Sequence, residues 1–359
     1  MTEPIVREMP LRVLVVDDSA FNRRSITEIL TTSPECEVVG KAADGDEALR
    51  LVGALRPHVI TLDLEMPRMD GFTFLRILMS KMPTPVIVVS SYSQKENVFK
   101  ALELGALDFV AKPDRHTDAE LTGIREELLQ KVLLARSLRP AALFQGRPAF
   151  ESLSGVRPPE PARAPVVQVV PRFVVAIASS TGGPTALMEI FSKLPQRSPN
   201  AHLIAQHMPD KFTRTFAERL NRRSPLRVSE AQDLDAISQA TAFVCPGRKC
   251  MELETGAGTS ERIRVVAPGP QDRYVPSADR LFASAARAGR RAVGVILTGM
   301  GDDGVDGARR ILAAGGIVIA ESEATAVVYG MPGSAVRAGV VSRSLPLAEI
   351  VDFLATLGE

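Results

Sequence analysis

Cysteine is scarce in this chain: Cys36, Cys245 and Cys250 are the three in 359 positions. The number is odd and no pair has metal-ligand spacing, so neither a disulfide framework nor a zinc site is expected. Net charge is nearly absent as well. At +1 overall, the chain has no global attraction to nucleic acid or to an anionic membrane surface. Long apolar runs are also missing: the longest, such as Arg12–Val16 and Ala292–Leu297, are strand-sized and far short of a bilayer span. Residues 1–10 hold three charges and two prolines, which leaves no apolar signal-peptide core. The expectation is a cytoplasmic protein with no nucleic-acid partner and no direct membrane insertion.

What is present fits a globular protein with real cores: 45% apolar and 24% charged residues. The length suits two domains better than one. Between 138 and 172 the text changes, with seven of the 26 prolines and no apolar periodicity. Such segments are extended, semi-rigid spacers, so 138–172 is read as an interdomain linker.

Before it, RVLVV (12–16), CEVVG (36–40), VITLDL (59–64), PVIVV (85–89) and DFVAK (108–112) alternate with amphipathic stretches. That pattern implies α/β architecture: a (βα)5 domain over about 11–130 with a parallel sheet. After the linker, FVVAIA (173–178), AHLIAQ (201–206), TAFVCP (241–246), RIRVVAP (262–268), AVGVILTG (292–299) and GIVIA (316–320) repeat the alternation. A second α/β domain over 173–359 with a mainly parallel sheet follows. The stretch Arg227–Pro268 reads as a hairpin insertion that could make that sheet mixed.

Asp17 and Asp18 close the first strand, Asp63 the third, Ser90 the fourth, and Lys112 precedes Pro113 at the end of the fifth. In a parallel sheet these ends share one edge. Three carboxylates there repel unless a hard cation sits among them, and Mg²⁺ takes such oxygen ligands. An acid ending a strand is commonly only a turn or cap residue; five such residues at successive strand ends are not explained that way. VVDDS, LDLEMPRMDG, VVSS and AKP together resemble a response-regulator receiver domain. The resemblance implies Asp63 as phosphoacceptor, Asp17, Asp18 and Asp63 with the Glu65 carbonyl as Mg²⁺ ligands, and Ser90, Phe109 and Lys112 as switch residues.

In the second half, FVVAIA runs into Ser179-Ser180-Thr181-Gly182-Gly183-Pro184, a tight turn followed by helical spacing of Leu187, Ile190, Phe191 and Leu194. A serine there faces the positive end of a helix, which suits a developing oxyanion, although serine also caps helices routinely. His207, one of four histidines, ends the next strand, and Asp303 follows AVGVILTG in the loop GMGDDG. Nucleophile, base and orienting carboxylate at the ends of one sheet are the parts of acyl-transfer catalysis. Ala178 stands where the nucleophile elbow G-x-S-x-G has glycine, and the order Ser, His, Asp differs from the α/β-hydrolase order. Gly299, Gly301 and Gly304 leave the backbone around Met300 open to an oxyanion.

SSTGGP, QHMP and LTGMGDDG, with PGRKCMEL, PSADRLF and YGMPGSA, resemble the catalytic domain of chemotaxis protein-glutamate methylesterases, the CheB family. The resemblance implies Ser180 as nucleophile, His207 as base, Asp303 as orienter, Thr181 as support and the Met300 amide at the oxyanion hole. It further implies an esterase without cofactor, methylated chemoreceptor cytoplasmic helices as substrate, a chemotaxis histidine kinase as partner, and glutamine deamidation as a second activity. Similar proteins keep the receiver docked over the active site until phosphorylation, so deleting residues 1–138 is expected to raise basal activity. Two other readings compete: a phosphorylation-switched binding protein with an inactive hydrolase domain, and a DNA-binding regulator. The second finds no helix-turn-helix pattern or basic face in the effector half.

Overall fold

The computed structural model describes residues 9–91, 94–112, 118–138, 169–255 and 261–358. They fall in two compact units, one within 1–143 and the other within 144–359. The expected linker lies outside the described residues apart from Leu138 and 169–172, and Pro113 lies outside them too. Among the described residues no helix is long and apolar enough to cross a membrane.

In the first unit five strands pair in parallel: β1 (Leu11–Val16), β2 (Cys36–Ala42), β3 (Val59–Leu62), β4 (Val86–Ser90) and β5 (Asp108–Ala111). Their spatial order is β2-β1-β3-β4-β5. β3 and β4 are buried along their whole length, as continuous Val/Ile runs covered on both faces demand. Ser19, Asp44 and Asp70 cap the helices Ala20–Leu30, Gly45–Leu55 and Gly71–Lys81 through their side-chain oxygens. The chain turns from one side of the sheet to the other at β1 and β3, which opens a crevice at their carboxyl ends.

The second unit is built on seven strands in the order β14-β13-β12-β6-β7-β9-β8. These are β6 (Val174–Ser179), β7 (Ala201–Gln206), β8 (Arg227–Glu230), β9 (Thr241–Val244), β12 (Ala292–Ile296), β13 (Ile317–Glu321) and β14 (Arg343–Leu345). Every pairing in this sheet is parallel. The expected hairpin insertion is thus narrower than 227–268. β10 (Cys250–Glu254) and β11 (Arg262–Val266) form a separate antiparallel pair, while β8 and β9 join the main sheet, which is not mixed. The sequence RVSE of β8 is too short and polar to announce a strand, and it forms only because β9 offers an edge.

β6 lies between β12 and β7, so the reversal of strand order falls at β6 and β12. Alanines at 176 and 178 keep the sheet low beneath the helix Ala278–Ala285, whose Leu281 and Phe282 are fully buried against it. Gly307 lets the helix Val305–Ala313 lie close by: a Cβ there would stand 2.5 Å from Phe282 Cβ and 2.7 Å from the Asp279 carbonyl oxygen. This close packing brings two helix starts and the loop after β12 together at one rim.

Candidate functional site

Ser180 follows β6 and His207 follows β7. Ser179 is the register partner of Gln206, so the two candidate residues leave the sheet side by side. The His207 amide donates to the Ser179 carbonyl at 2.9 Å, and the Ser180 amide donates to the Thr298 carbonyl at 3.0 Å. Gln206, which the sequence did not single out, ties these ends together. Its Oε1 accepts from Ser179 Oγ at 2.6 Å, and its Nε2 donates to the carbonyls of Ser180 at 3.0 Å and His207 at 2.9 Å.

Asp303 is 1% exposed. Its Oδ2 lies 2.8 Å from His207 Nε2 and accepts from the Ala278 amide at 2.8 Å; its Oδ1 accepts from the Asp279 amide at 3.0 Å. The carboxylate therefore sits on the first amides of the helix Ala278–Ala285, where backbone donors and the helix dipole favour negative charge. A carboxylate only accepts, so Nε2 carries the imidazole proton and Nδ1 the lone pair. Among the described residues no hydrogen bond joins Ser180 Oγ to the imidazole, so the structure unites His207 with Asp303 and brings Ser180 to the neighbouring strand end.

The glycine loop after β12 packs on the serine. A Cβ on Gly299 would stand 2.7 Å from Ser180 Cβ and 2.9 Å from its amide nitrogen. Gly301 and Gly304 have φ of 94° and 96°, a region that favours glycine. Met300 is 40% exposed, and its amide donates no hydrogen bond among the described residues. Thr181 is buried and its carbonyl accepts from Thr298 Oγ1 at 2.9 Å. Beneath this loop, the fully buried Glu321 accepts from the Thr298 amide at 2.8 Å and Thr325 Oγ1 at 3.0 Å; burial pushes its carboxyl up to about 7. Asp279 accepts from the Gly307 amide at 2.8 Å, and burial pushes it up to about 6. Tyr274, also outside the sequence expectations, stacks on the His207 ring with centroids 5.3 Å apart and planes 5° from parallel.

In the first unit the carboxylate oxygens of Asp17, Asp18 and Asp63 approach within 4.8 Å of one another. Lys112 Nζ bonds Asp17 Oδ2 at 2.9 Å and Asp63 Oδ2 at 2.5 Å. Burial pushes the Asp63 carboxyl up, with the Lys112 ammonium opposing that shift. One ammonium against three carboxylates leaves a negative, oxygen-only cluster of the kind that suits Mg²⁺. The Glu65 amide lies 3.4 Å from Asp63 Oδ1. The Ser90 hydroxyl donates to Gln94 Oε1 at 2.6 Å rather than to the carboxylates. Phe109 is buried, edge-on to Phe99 at 6.3 Å.

Comparison with known proteins matches both halves. The profile described as CheB methylesterase matches residues 175–354, and that described as response regulator receiver domain matches residues 13–121. A protein-glutamate methylesterase/protein-glutamine glutaminase of Myxococcus xanthus is 47% identical over 349 residues, 97% of each chain. One of Anaeromyxobacter dehalogenans is 50% identical over 355 residues, again 97% of each. The crystal structure of the Thermotoga maritima CheB methylesterase catalytic domain is 35% identical, with a TM-score of 0.50, over 52% of this chain and 100% of that one. On the strength of both matches and of near full-length identity, the chain belongs to the CheB methylesterase family, with a response regulator receiver domain preceding the catalytic domain.

Proposed function

We propose that this chain is a cytoplasmic protein-glutamate methylesterase, with its receiver over 11–130, a linker over 138–172 and its catalytic domain over 173–359. Its substrate is the methylated cytoplasmic helices of chemoreceptors, and a chemotaxis histidine kinase supplies the phosphoryl group. The observation that carries this reading is the buried Asp303 carboxylate at 2.8 Å from His207 Nε2, one strand from Ser180.

Ser180 turns about Cα–Cβ to meet Nδ1 of His207, which takes the hydroxyl proton as Oγ bonds the ester carbonyl carbon. Asp303 keeps Nε2 protonated and steadies the imidazolium. The Met300 amide faces the developing oxyanion; one such donor is worth about 2.7–4 kcal/mol in the transition state. Thr181 supports the histidine from the serine turn. The tetrahedral intermediate expels methoxide, which leaves as methanol with the imidazolium proton. Water, deprotonated by His207, then hydrolyses the acyl-enzyme to glutamate. With glutamine as substrate ammonia leaves instead, so the same residues serve deamidation, and no cofactor takes part.

In the receiver, Asp17, Asp18, Asp63 and the Glu65 carbonyl would hold Mg²⁺, which screens the charge of an incoming phosphoryl group. Asp63 accepts that group, Lys112 pairs with its oxygens, and Ser90 leaves Gln94 to bond another. Phe109 repacks with that movement and relays the change. Methanol release from methylated receptor, measured with and without a small-molecule phosphodonor, tests both sites. Ser180→Ala is expected to abolish release while receptor binding persists, and Asp63→Asn to abolish the phosphodonor response. Retained binding without any methanol release by the wild type would overturn the esterase reading.

A further inference from the structure

We propose that Tyr274 is a positioning residue for the reaction, its ring lying parallel to the His207 imidazole and holding it in place. The inference rests on the assignment of His207 as base. The two rings lie 5.3 Å apart and 5° from parallel. Tyr274 Oη donates to Asp302 Oδ1 at 3.0 Å, and Asp302 Oδ2 accepts from Arg273 Nη1 at 3.3 Å. The phenol also lies against Gly301, where a Cβ would stand 2.5 Å from Oη. One side chain thus touches the imidazole face, the carboxylate beside the catalytic aspartate, and the backbone next to Met300.

Core packing does not account for this arrangement. Tyr274 is half-buried and its hydrogen-bond partner Asp302 is exposed, whereas the core of this domain lies beneath the helix Ala278–Ala285. Asp303 holds the imidazole by one nitrogen only, which leaves rotation about that hydrogen bond open. A parallel ring stacked against it limits that freedom and keeps Nδ1 aimed. When Nδ1 takes the serine proton, the cation forms against an electron-rich ring face. The charged and titratable groups around the imidazole are Asp303 at its edge, Tyr274 on its face, Asp302 and Arg273 beyond Tyr274, and Asp279 behind Asp303. The Arg273 guanidinium carbon lies 5.5 Å from the Tyr274 ring centroid and is paired with Asp302. Burial and the Asp302 hydrogen bond both raise the Tyr274 phenol, so it stays a donor.

The experiment is steady-state methanol release by the full chain from methylated receptor across pH, for Tyr274→Phe, Tyr274→Leu and Tyr274→Gln. Loss of the ring is expected to lower kcat about ten- to hundredfold, with KM within about twofold. Tyr274→Phe keeps the ring and should stay within about threefold of wild type. The inference is overturned if the ringless variants keep kcat, or if Tyr274→Phe is as impaired as they are. Two ringless variants guard against one failing to fold. Ser180→Ala, run in parallel, separates the layers: methanol release surviving in it overturns the esterase reading itself. Its loss beside an unaffected Tyr274→Leu overturns only the role of Tyr274.

Discussion

His207 meets Asp303 through Nε2, at 2.8 Å from Oδ2, and the carboxylate meets two helix amides at the same time. With His207 as the proposed base, the pairing leaves Nδ1 to take the proton. Nitrogen NMR of the resting enzyme should therefore show the Nε2–H tautomer. Asp303→Asn should lower kcat by about 10⁴-fold, because the amide no longer enforces that tautomer. A rate near wild type, or a resting Nδ1–H tautomer, would contradict the geometry.

Gly299 packs closely against the candidate nucleophile. A methyl group there meets Ser180 Cβ, its amide nitrogen and Met331 Sδ, the last at 2.5 Å. Backbone cannot swing aside as a side-chain end can, so Gly299→Ala should displace Ser180. Overpacking of this kind typically costs about 1–3 kcal/mol. Thermal unfolding should register that loss, and methanol release should fall further than stability alone explains.

The receiver cluster should respond to metal. Mg²⁺ added to the wild type is expected to raise the unfolding midpoint, by an amount equivalent to about 2.7 kcal/mol at a hundredfold excess over Kd. Asp18→Asn removes one of the three converging carboxylates, so calorimetry of that variant should show a much smaller rise. Lys112→Ala should instead strengthen Mg²⁺ binding, since it removes a competing cation, and, on the role proposed for Lys112, weaken the response to phosphodonor.

Glu321 predicts a pH dependence of stability. Its folded pKa of about 7 lies above the ordinary value of 4.5 because burial favours the neutral form, with the Thr298 amide and Thr325 hydroxyl opposing. Folding is therefore favoured where the group is protonated. That contribution is complete below about pH 4.5 and is lost as pH rises through about 7, a change of about 3 kcal/mol. Asp279, raised from 3.8 to about 6, adds a loss over a lower window. Chemical denaturation at intervals from about pH 5 to 8 should show the decline. Glu321→Gln should flatten its upper part; an unchanged slope would mean that Glu321 stays neutral or is solvated.

The two sites were not equally legible in the text. Asp17, Asp18, Asp63 and Lys112 each stand at the end of a short Val/Ile strand, and parallel pairing alone gathers them. Ser90 was legible as a strand end, yet its hydroxyl points to Gln94, four residues on, in a contact that strand position cannot forecast. In the catalytic domain the motifs located Ser180, His207 and Asp303. Gln206 had a local signal, adjacency to His207, but its three hydrogen bonds depend on the β6–β7 register. Tyr274 had none, since it sits in a loop 67 positions from the histidine it covers.

The sequence by itself determined two α/β domains, the carboxylate cluster and the three residue types of the proposed acyl-transfer site. Strand periodicity and turn residues are local properties and are written locally. Only the tertiary structure decided that the main sheet is wholly parallel, that Asp303 engages Nε2 from the start of the helix Ala278–Ala285, and that Tyr274 lies flat on the imidazole. Those facts come from how helices settle on a sheet, a balance of packing among residues far apart in the chain, which no short stretch of text contains.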